Sequence, residues 1–251
     1  MAKPKIAIFD FACCEGCQLQ IVNLEEEILS LLGVADVVEW REAMSEKSDE
    51  YDIALIEGSI TRMEDEEKLK RIRGCAKVLI ALGACAVTGG VNKLKNNFDD
   101  FEEVKKCVYG KAAGKPHLRT AVTKAVGEVV QVDYVVPGCP IERKEFTNIV
   151  RSLLMGKKPE LPEYPVCVEC KANGNPCLWQ YDQVCLGPII RAGCGARCPS
   201  SGFRCFGCRG YIDNPNVEAA RDVINRYGLN VDDLKTKMVL FGSKQEPTIY
   251  E

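Results

Sequence analysis

The chain has 251 residues, 46% of them hydrophobic, with 33 Lys and Arg against 36 Asp and Glu for a net charge of −3. This suffices for one sizeable core, or one core and a small accessory domain, and the mixed, near-neutral charge argues against both a general nucleic-acid binder and an acidic disordered chain. No apolar run approaches the ~18 residues of a membrane span. The run Ile6 to Phe9 behind Lys3 and Lys5 is too short for a signal-peptide core and lacks a twin-arginine pair, so the protein is expected to begin near Met1 and to be cytoplasmic.

Residues 5–11 predict a buried first strand. A helix is expected from Gln18 to Leu32, because Ile21, Leu24, Ile28, Leu31 and Leu32 share one face. Strands follow at 35–40 and 52–60, then a charged amphipathic helix from Glu64 to Cys75 and a fourth strand at 76–85. Residues 92–131 hold helical pieces near 99–107 and 117–128. A fifth strand spans 132–140, and a helix from Glu142 to Met155 stops at Gly156. Short apolar strands alternating with helices predict a parallel sheet covered on both faces, of flavodoxin-like type. Three prolines in 157–165 mark a linker. From Cys167 to Cys208 Gly, Pro and Cys dominate without periodicity, as in a loop-rich fold held by metal rather than by a hydrophobic core. Helices are predicted from Asn216 to Tyr227 and from Val231 to Phe241. The expected organisation is a flavodoxin-like domain over 1–157, a loop-rich cysteine domain over 158–212 and a helical tail over 213–251.

Fifteen cysteines in a chain without an export signal point to metal rather than disulfides. Cys14 and Cys17 form C-x-x-C after the first strand, Cys85 lies at the end of the fourth and Cys139 at the end of the fifth. In a parallel sheet these strand ends share one edge, so four thiolates can converge there. Gly16, Gly83 and Gly138 would allow the turns, and the start of the first helix beside Cys17 would favour an anionic cluster. Spacing alone leaves Cys13 as a rival to Cys14. An FMN site would suit the sheet, but the first loop, ACCEGC, lacks phosphate-binding hydroxyls. Cys75 and Cys107 read as buried core cysteines. His117, the only histidine, reads as an ordinary residue rather than a ligand.

Cys167, Cys170, Cys177 and Cys185 precede Cys194, Cys198, Cys205 and Cys208, which suggests two further four-cysteine sites. Such sites hold zinc or an iron–sulfur cluster. Each group has one C-x2-C pair where zinc ribbons favour two, which tilts the reading to iron–sulfur. Arg191, Arg197, Arg204 and Arg209 are placed either to donate hydrogen bonds to thiolates or sulfides and offset their charge, or to form a solvated or interfacial face.

These motifs resemble the small, electron-transferring subunit of nickel–iron hydrogenases. The resemblance runs from the first strand to about Gly210, through C-C-E-G-C-Q, E-G-S-I, G-A-C-A-V-T-G-G, P-G-C-P, C-L-G-P, G-C-G-A-R-C-P and C-F-G-C-R-G. V-C-V-E-C-K-A-N-G-N-P-C is similar to the soluble cytoplasmic branch that includes sulfhydrogenase delta subunits. The resemblance implies three 4Fe-4S clusters: proximal on Cys14, Cys17, Cys85 and Cys139, distal on Cys167, Cys170, Cys177 and Cys185, and medial on Cys194, Cys198, Cys205 and Cys208. The spacing is compatible with one exchanged ligand between the last two. Glu57 would lie near the proximal edge as an interface residue. Periplasmic relatives use a histidine where Cys167 stands and a proline as the fourth medial residue, and their oxygen-tolerant members add two cysteines about the proximal cluster. Gly16 between Cys14 and Cys17, and no cysteine between Cys85 and Cys107, imply an ordinary proximal cluster and oxygen sensitivity.

The implied function is an electron relay without catalytic residues of its own. The nickel–iron site would belong to a large subunit, and electrons would pass to a soluble partner: a flavin and nicotinamide subunit, a deazaflavin-reducing subunit or a heterodisulfide reductase. Two rivals are a complex I-type electron-transfer subunit, against which the eight late cysteines argue, and a zinc-stabilised interaction module.

Overall fold

The structure, a computed structural model, describes residues 3–215, 217–228 and 237–241. Five parallel strands form one sheet in the order β2-β1-β3-β4-β5. They are β1 (Lys5–Asp10), β2 (Asp36–Trp40), β3 (Ile53–Glu57), β4 (Val78–Leu82) and β5 (Tyr134–Val136). This is the flavodoxin-like order, with a topological switch between β1 and β3. All five lie within the predicted segments and are shorter than expected, because the flanking residues turn out of the sheet as loops.

The strands alternate as a two-sided sheet demands. Ile6, Ile8, Leu55, Ile80 and Leu82 face a core shared with Ile21, Leu24, Phe146, Ile149 and Val150. Ala7, Phe9, Ala54, Ile56, Leu79 and Ala81 face a second core with Leu69, Ile72 and Val126. The first face is covered by α1 (Gly16–Val22), α2 (Glu26–Val34) and, beyond β5, α6 (Arg143–Leu154). The second is covered by α3 (Met63–Cys75). Between them in sequence lie α4 (Gly83–Thr88) and α5 (Phe101–Tyr109).

The single helix expected from Gln18 to Leu32 is two. α1 ends at Asn23, and Glu25 takes a left-handed φ of 55° before α2 begins. The break keeps Ile21 and Leu24 buried while α2 runs off, leaving Leu29 69% exposed. Within 92–131, α5 replaces the first helical piece, and the second is reduced to isolated 3-10 turns at Pro116–Leu118 and Val126–Glu128.

No helix or strand occupies 157–164. The cysteine-rich segment that follows is not purely loop. α7 (Val166–Ala172) and the single turn α8 (Arg197–Ser200) carry three of its cysteines, Cys167, Cys170 and Cys198. It also has an apolar core of Val166, Trp179, Leu186, Ile189, Ile190 and Ala196, so burial contributes to its fold, contrary to the expectation that metal alone holds it. Ile224 of α9 (Val217–Arg226) and Met238 pack into that core. Of the predicted tail, residues 216, 229–236 and 242–251 lie outside the described residues, and so does most of the helix expected from Val231.

Candidate metal centres

Register decides where the first cysteines meet. Asp10 pairs with Glu57, Glu57 with Leu82 and Leu82 with Val136, so β1, β3, β4 and β5 end level. Cys14, Cys85 and Cys139 follow within four residues of those ends, and Cys17 sits in the first turn of α1. The loops are tied to each other by backbone: Ala84 N donates to Gly138 O at 2.7 Å, and Ala12 and Ser59 exchange bonds of 3.1 and 3.0 Å. Asn92 Nδ2 donates to both, at 2.7 Å to Ala12 O and 2.9 Å to Ser59 Oγ.

Close approach explains two glycines here. A Cβ at Gly83, whose φ is 76°, would overlap the Cys17 sulfur, and one at Gly90 would stand 2.8 Å from Cys85 Sγ. The left-handed turn expected of Gly16 is taken by Glu15, at φ 61°.

The thiols feel one another. Burial, then Cys139 and Cys14, push Cys85 up to about 12. Burial, then Cys14 and Glu57, raise Cys139, and burial, then Glu57, raise Cys17. Cys13 is pushed to about 12 by burial and Glu57. Raised, neighbouring thiols ionise together only against a positive partner, as thiolate donors do on a metal cluster. Cys14 and Cys139 are exposed while Cys17 is buried, so the group lies at the molecular surface.

Glu57 has a role the sequence did not disclose. It is 2% exposed, not an interface residue, and its two oxygens accept from Cys17 N and Gln18 N, each at 3.1 Å. Burial raises its pKa, and these two N–H bonds pull it back. Gln18, also buried, accepts from Trp40 Nε1 at 2.7 Å. The sequence placed Glu57 near this edge, through the E-G-S-I motif, but not its burial or its bonds to α1.

In the second group α7 carries Cys167 and Cys170. Burial, then Cys185, Cys170 and Cys177, push Cys167 up to about 12, while Lys171 lowers it. A Cβ at Gly187 would stand 3.1 Å from Cys167 Sγ and 3.5 Å from Cys185 Sγ. Asn175 Nδ2 reaches Cys170 Sγ at 3.8 Å. Glu169, between the two helical cysteines, accepts from Gly193 N at 2.8 Å and Ala196 N at 3.1 Å, which ties α7 to the loop that bears Cys194.

In the third group burial and Cys194 raise Cys198, against which Arg197 acts. Cys205 is raised by burial and then by Cys185, Cys208 and Cys194. Cys208 is pushed to about 11 by burial, Cys194, Cys139 and Cys198, and lowered by the Cys139 backbone N–H. At the sulfurs, the groups are joined where Cys139 faces Cys208 and where Cys205 N donates to Cys185 Sγ at 3.1 Å.

Arg191, Arg197 and Arg209 direct their bonds to carbonyls and carboxylates rather than to thiols, and Arg204 lies over the Phe206 ring at 4.9 Å. Of the four, Arg197 offsets thiol charge, at Cys198. Cys75 and Cys107 are exposed, which corrects their reading as core residues; each ends or nears the end of a helix whose apolar face points elsewhere. His117 is exposed. Among the described residues no three His, Cys, Asp or Glu side chains close tightly enough for one metal ion. A cluster of several irons spreads its thiolates further apart than one ion does, and soft four-thiolate sets suit it.

The model of the NADH ubiquinone oxidoreductase 20 kDa subunit matches residues 14–153. The chain belongs to this family. Within it the chain falls with hydrogenase subunits of oxidoreductase complexes. It is 36% identical to sulfhydrogenase 2 subunit delta of Pyrococcus furiosus, over 88% of this chain and 92% of that protein. It is 33% identical to an F420-non-reducing hydrogenase vhu subunit of Methanococcus voltae, over 95% and 94%. A chain of an NAD+-reducing [NiFe]-hydrogenase in the H2-reduced state superposes with a TM-score of 0.59 at 30% identity. It is covered over 96% of its length by 64% of this chain. The family match holds Cys14, Cys17, Cys85 and Cys139 and stops before Cys167. The eight later cysteines lie beyond the stretch that the family model matches.

Proposed function

We propose that this chain is the electron relay of a nickel–iron hydrogenase, with three 4Fe-4S clusters. Cys14, Cys17, Cys85 and Cys139 would hold the proximal cluster, Cys194, Cys198, Cys205 and Cys208 the medial, and Cys167, Cys170, Cys177 and Cys185 the distal. The observation that carries this reading is the succession of three four-cysteine groups, joined through Cys139 to Cys208 and through Cys205 to Cys185. Each cluster, when bound, takes up and releases one electron at a time.

The chain's own residues set the conditions. Burial of Cys17, Cys185 and Cys205, one in each group, keeps water from one side of each site. Backbone N–H groups of Cys205 and Gly187 point at Cys185 and stabilise its thiolate. The exposed Cys14 and Cys139 edge would face the nickel–iron large subunit, and the distal end a soluble flavin–nicotinamide, deazaflavin or heterodisulfide-reductase partner. Residues 1–157, 158–212 and 213–251 would be the corresponding domains, in a cytoplasmic complex. No helix among the described residues is long and apolar enough to cross a membrane.

The test is metal and sulfide analysis of the anaerobically purified complex. About twelve irons with matching acid-labile sulfide per chain are expected, as for three four-iron clusters, with visible absorbance that bleaches on reduction. Stoichiometric zinc would overturn the reading in favour of an interaction module. About four irons, as for one cluster, would favour the complex I-type subunit instead. The isolated chain should show no hydrogen-dependent dye reduction.

A further inference from the structure

The residue after Cys208 is the buried cation Arg209, 2% exposed. Its guanidinium donates in three directions. Nε bonds Ala192 O at 2.8 Å and Arg191 O at 3.2 Å, just before Cys194. Nη1 bonds Pro137 O at 2.7 Å, two residues before Cys139. Nη2 bonds Glu145 Oε1 at 2.6 Å. Glu145 lies in the first turn of α6, whose Phe146, Ile149 and Val150 are set in the sheet core, so this end of the clamp is anchored in the sheet's own packing.

The site is filled. Gly193 has a φ of 114°, and a Cβ there would overlap the Arg209 guanidinium and stand 2.8 Å from Glu145 Oε1. A lysine ammonium has no planar fork with which to reach all these acceptors at once. None of the bonds goes to a thiol. From the Cys208 loop they reach the backbone of the loops that bear Cys139 and Cys194, and α6.

We propose that Arg209 is a positioning residue: its clamp on Pro137, Ala192 and Glu145 holds the Cys208 loop against the Cys139 loop and fixes the gap an electron crosses between the first and third cysteine groups. This rests on the iron–sulfur reading above. Arg209 adjoins the place where the backbone of the first group faces a thiol of the third, Cys139 on Cys208. Its charge is balanced by Glu145, so its effect is on distance more than on potential. Electron tunnelling falls steeply with distance, and magnetic coupling between paramagnetic clusters falls as the inverse cube.

The experiment uses the anaerobic complex with Arg209→Lys, Arg209→Met and Glu145→Gln, beside the unaltered chain. Iron and sulfide per chain, cluster potentials, and the EPR broadening from interaction between the proximal and medial clusters in the dithionite-reduced state are measured. Hydrogen exchange of residues 137–141, 205–210 and 11–16 is followed in parallel. In Arg209→Met and Glu145→Gln the iron content should hold and the broadening should be lost or weakened in both, although the charge left unpaired moves the potentials in opposite directions, and exchange should quicken at 137–141 and 205–210 but not at 11–16. Arg209→Lys should restore part of the broadening. Unchanged broadening in an iron-complete variant overturns the proposal, and so does a shift of potential with unchanged broadening. If Arg209→Met does not assemble, the same readings on Arg209→Lys and Glu145→Gln decide. If the unaltered complex carries no iron, the iron–sulfur reading falls by itself, and unchanged exchange at both loops then overturns the clamp while faster exchange sustains it.

Discussion

Buried charge separates the residues that shape this molecule from those that decorate it. Glu57 is the clearest case, because its carboxylate holds the first two N–H groups of α1 that follow Gly16. Charge-assisted bonds of this kind are stronger than neutral ones. Glu57→Ala should lower stability by about 2–4 kcal/mol, the cost of leaving buried donors unsatisfied, read as a lower denaturant midpoint of the iron-loaded protein. Glu57→Gln, which keeps an acceptor, should lose less. An unchanged midpoint in Glu57→Ala would mean that water replaces the carboxylate. Arg209 and Glu145 form a buried ion pair, with side chains 1% and 11% exposed. The exposed ion pairs, such as Lys5 with Glu50, contribute little by comparison.

At the scale of the element, the two edges of the sheet are used differently. The carboxyl edge gathers thiols, and the amino edge gathers acids that cap strand starts. Asp52 accepts from Lys5 N at 2.8 Å and from Lys77 Nζ at 2.7 Å, so it joins the beginnings of β1 and β4 beside β3. Asp133 does the same for β4 and β5, accepting from Leu79 N at 2.8 Å with Arg73 beside it. Lys77 first, and then the Lys5 amide, hold the Asp52 carboxyl below its usual range. A carboxyl depressed in the folded state contributes stability above its unfolded pKa and loses it as pH falls through the folded one. Asp52→Asn should therefore be less stable than the parent chain at pH 7, by under about 1 kcal/mol at this half-exposed site. The difference should shrink as pH drops below about 4. Urea melts of the pair at pH 7 and pH 3.5 check it, and a difference that grows on acidification contradicts the assignment.

For the whole molecule, the sheet carries two full apolar faces, whereas the cysteine-rich part has one modest core. Metal binding is then folding free energy for the second part far more than for the first. Removing the clusters by anaerobic chelation and oxidation should expose 157–210 to protease while 5–154 stays protected. Limited proteolysis followed by mass spectrometry reads this. Cleavage that begins in β1, β3 or β4 would show the opposite order of stability.

The parallel sheet, the position of every strand and the spacing of the cysteines were already contained in the sequence. Strand cores are contiguous apolar runs, and ligand-type residues at fixed short spacing depend on no distant contact. What tertiary structure decided was everything that depends on register and burial. The strand order came from packing, and the level carboxyl ends that bring Cys14, Cys85 and Cys139 together came from hydrogen-bond register between strands distant in sequence. The break between α1 and α2, the exposure of Cys75 and Cys107, and the burial of Glu57 followed from which faces found partners. The same holds for the arginines. Composition showed four of them among the cysteines, but a guanidinium goes to whichever acceptors the fold presents, and for Arg209 these are carbonyls and a carboxylate up to 72 residues away.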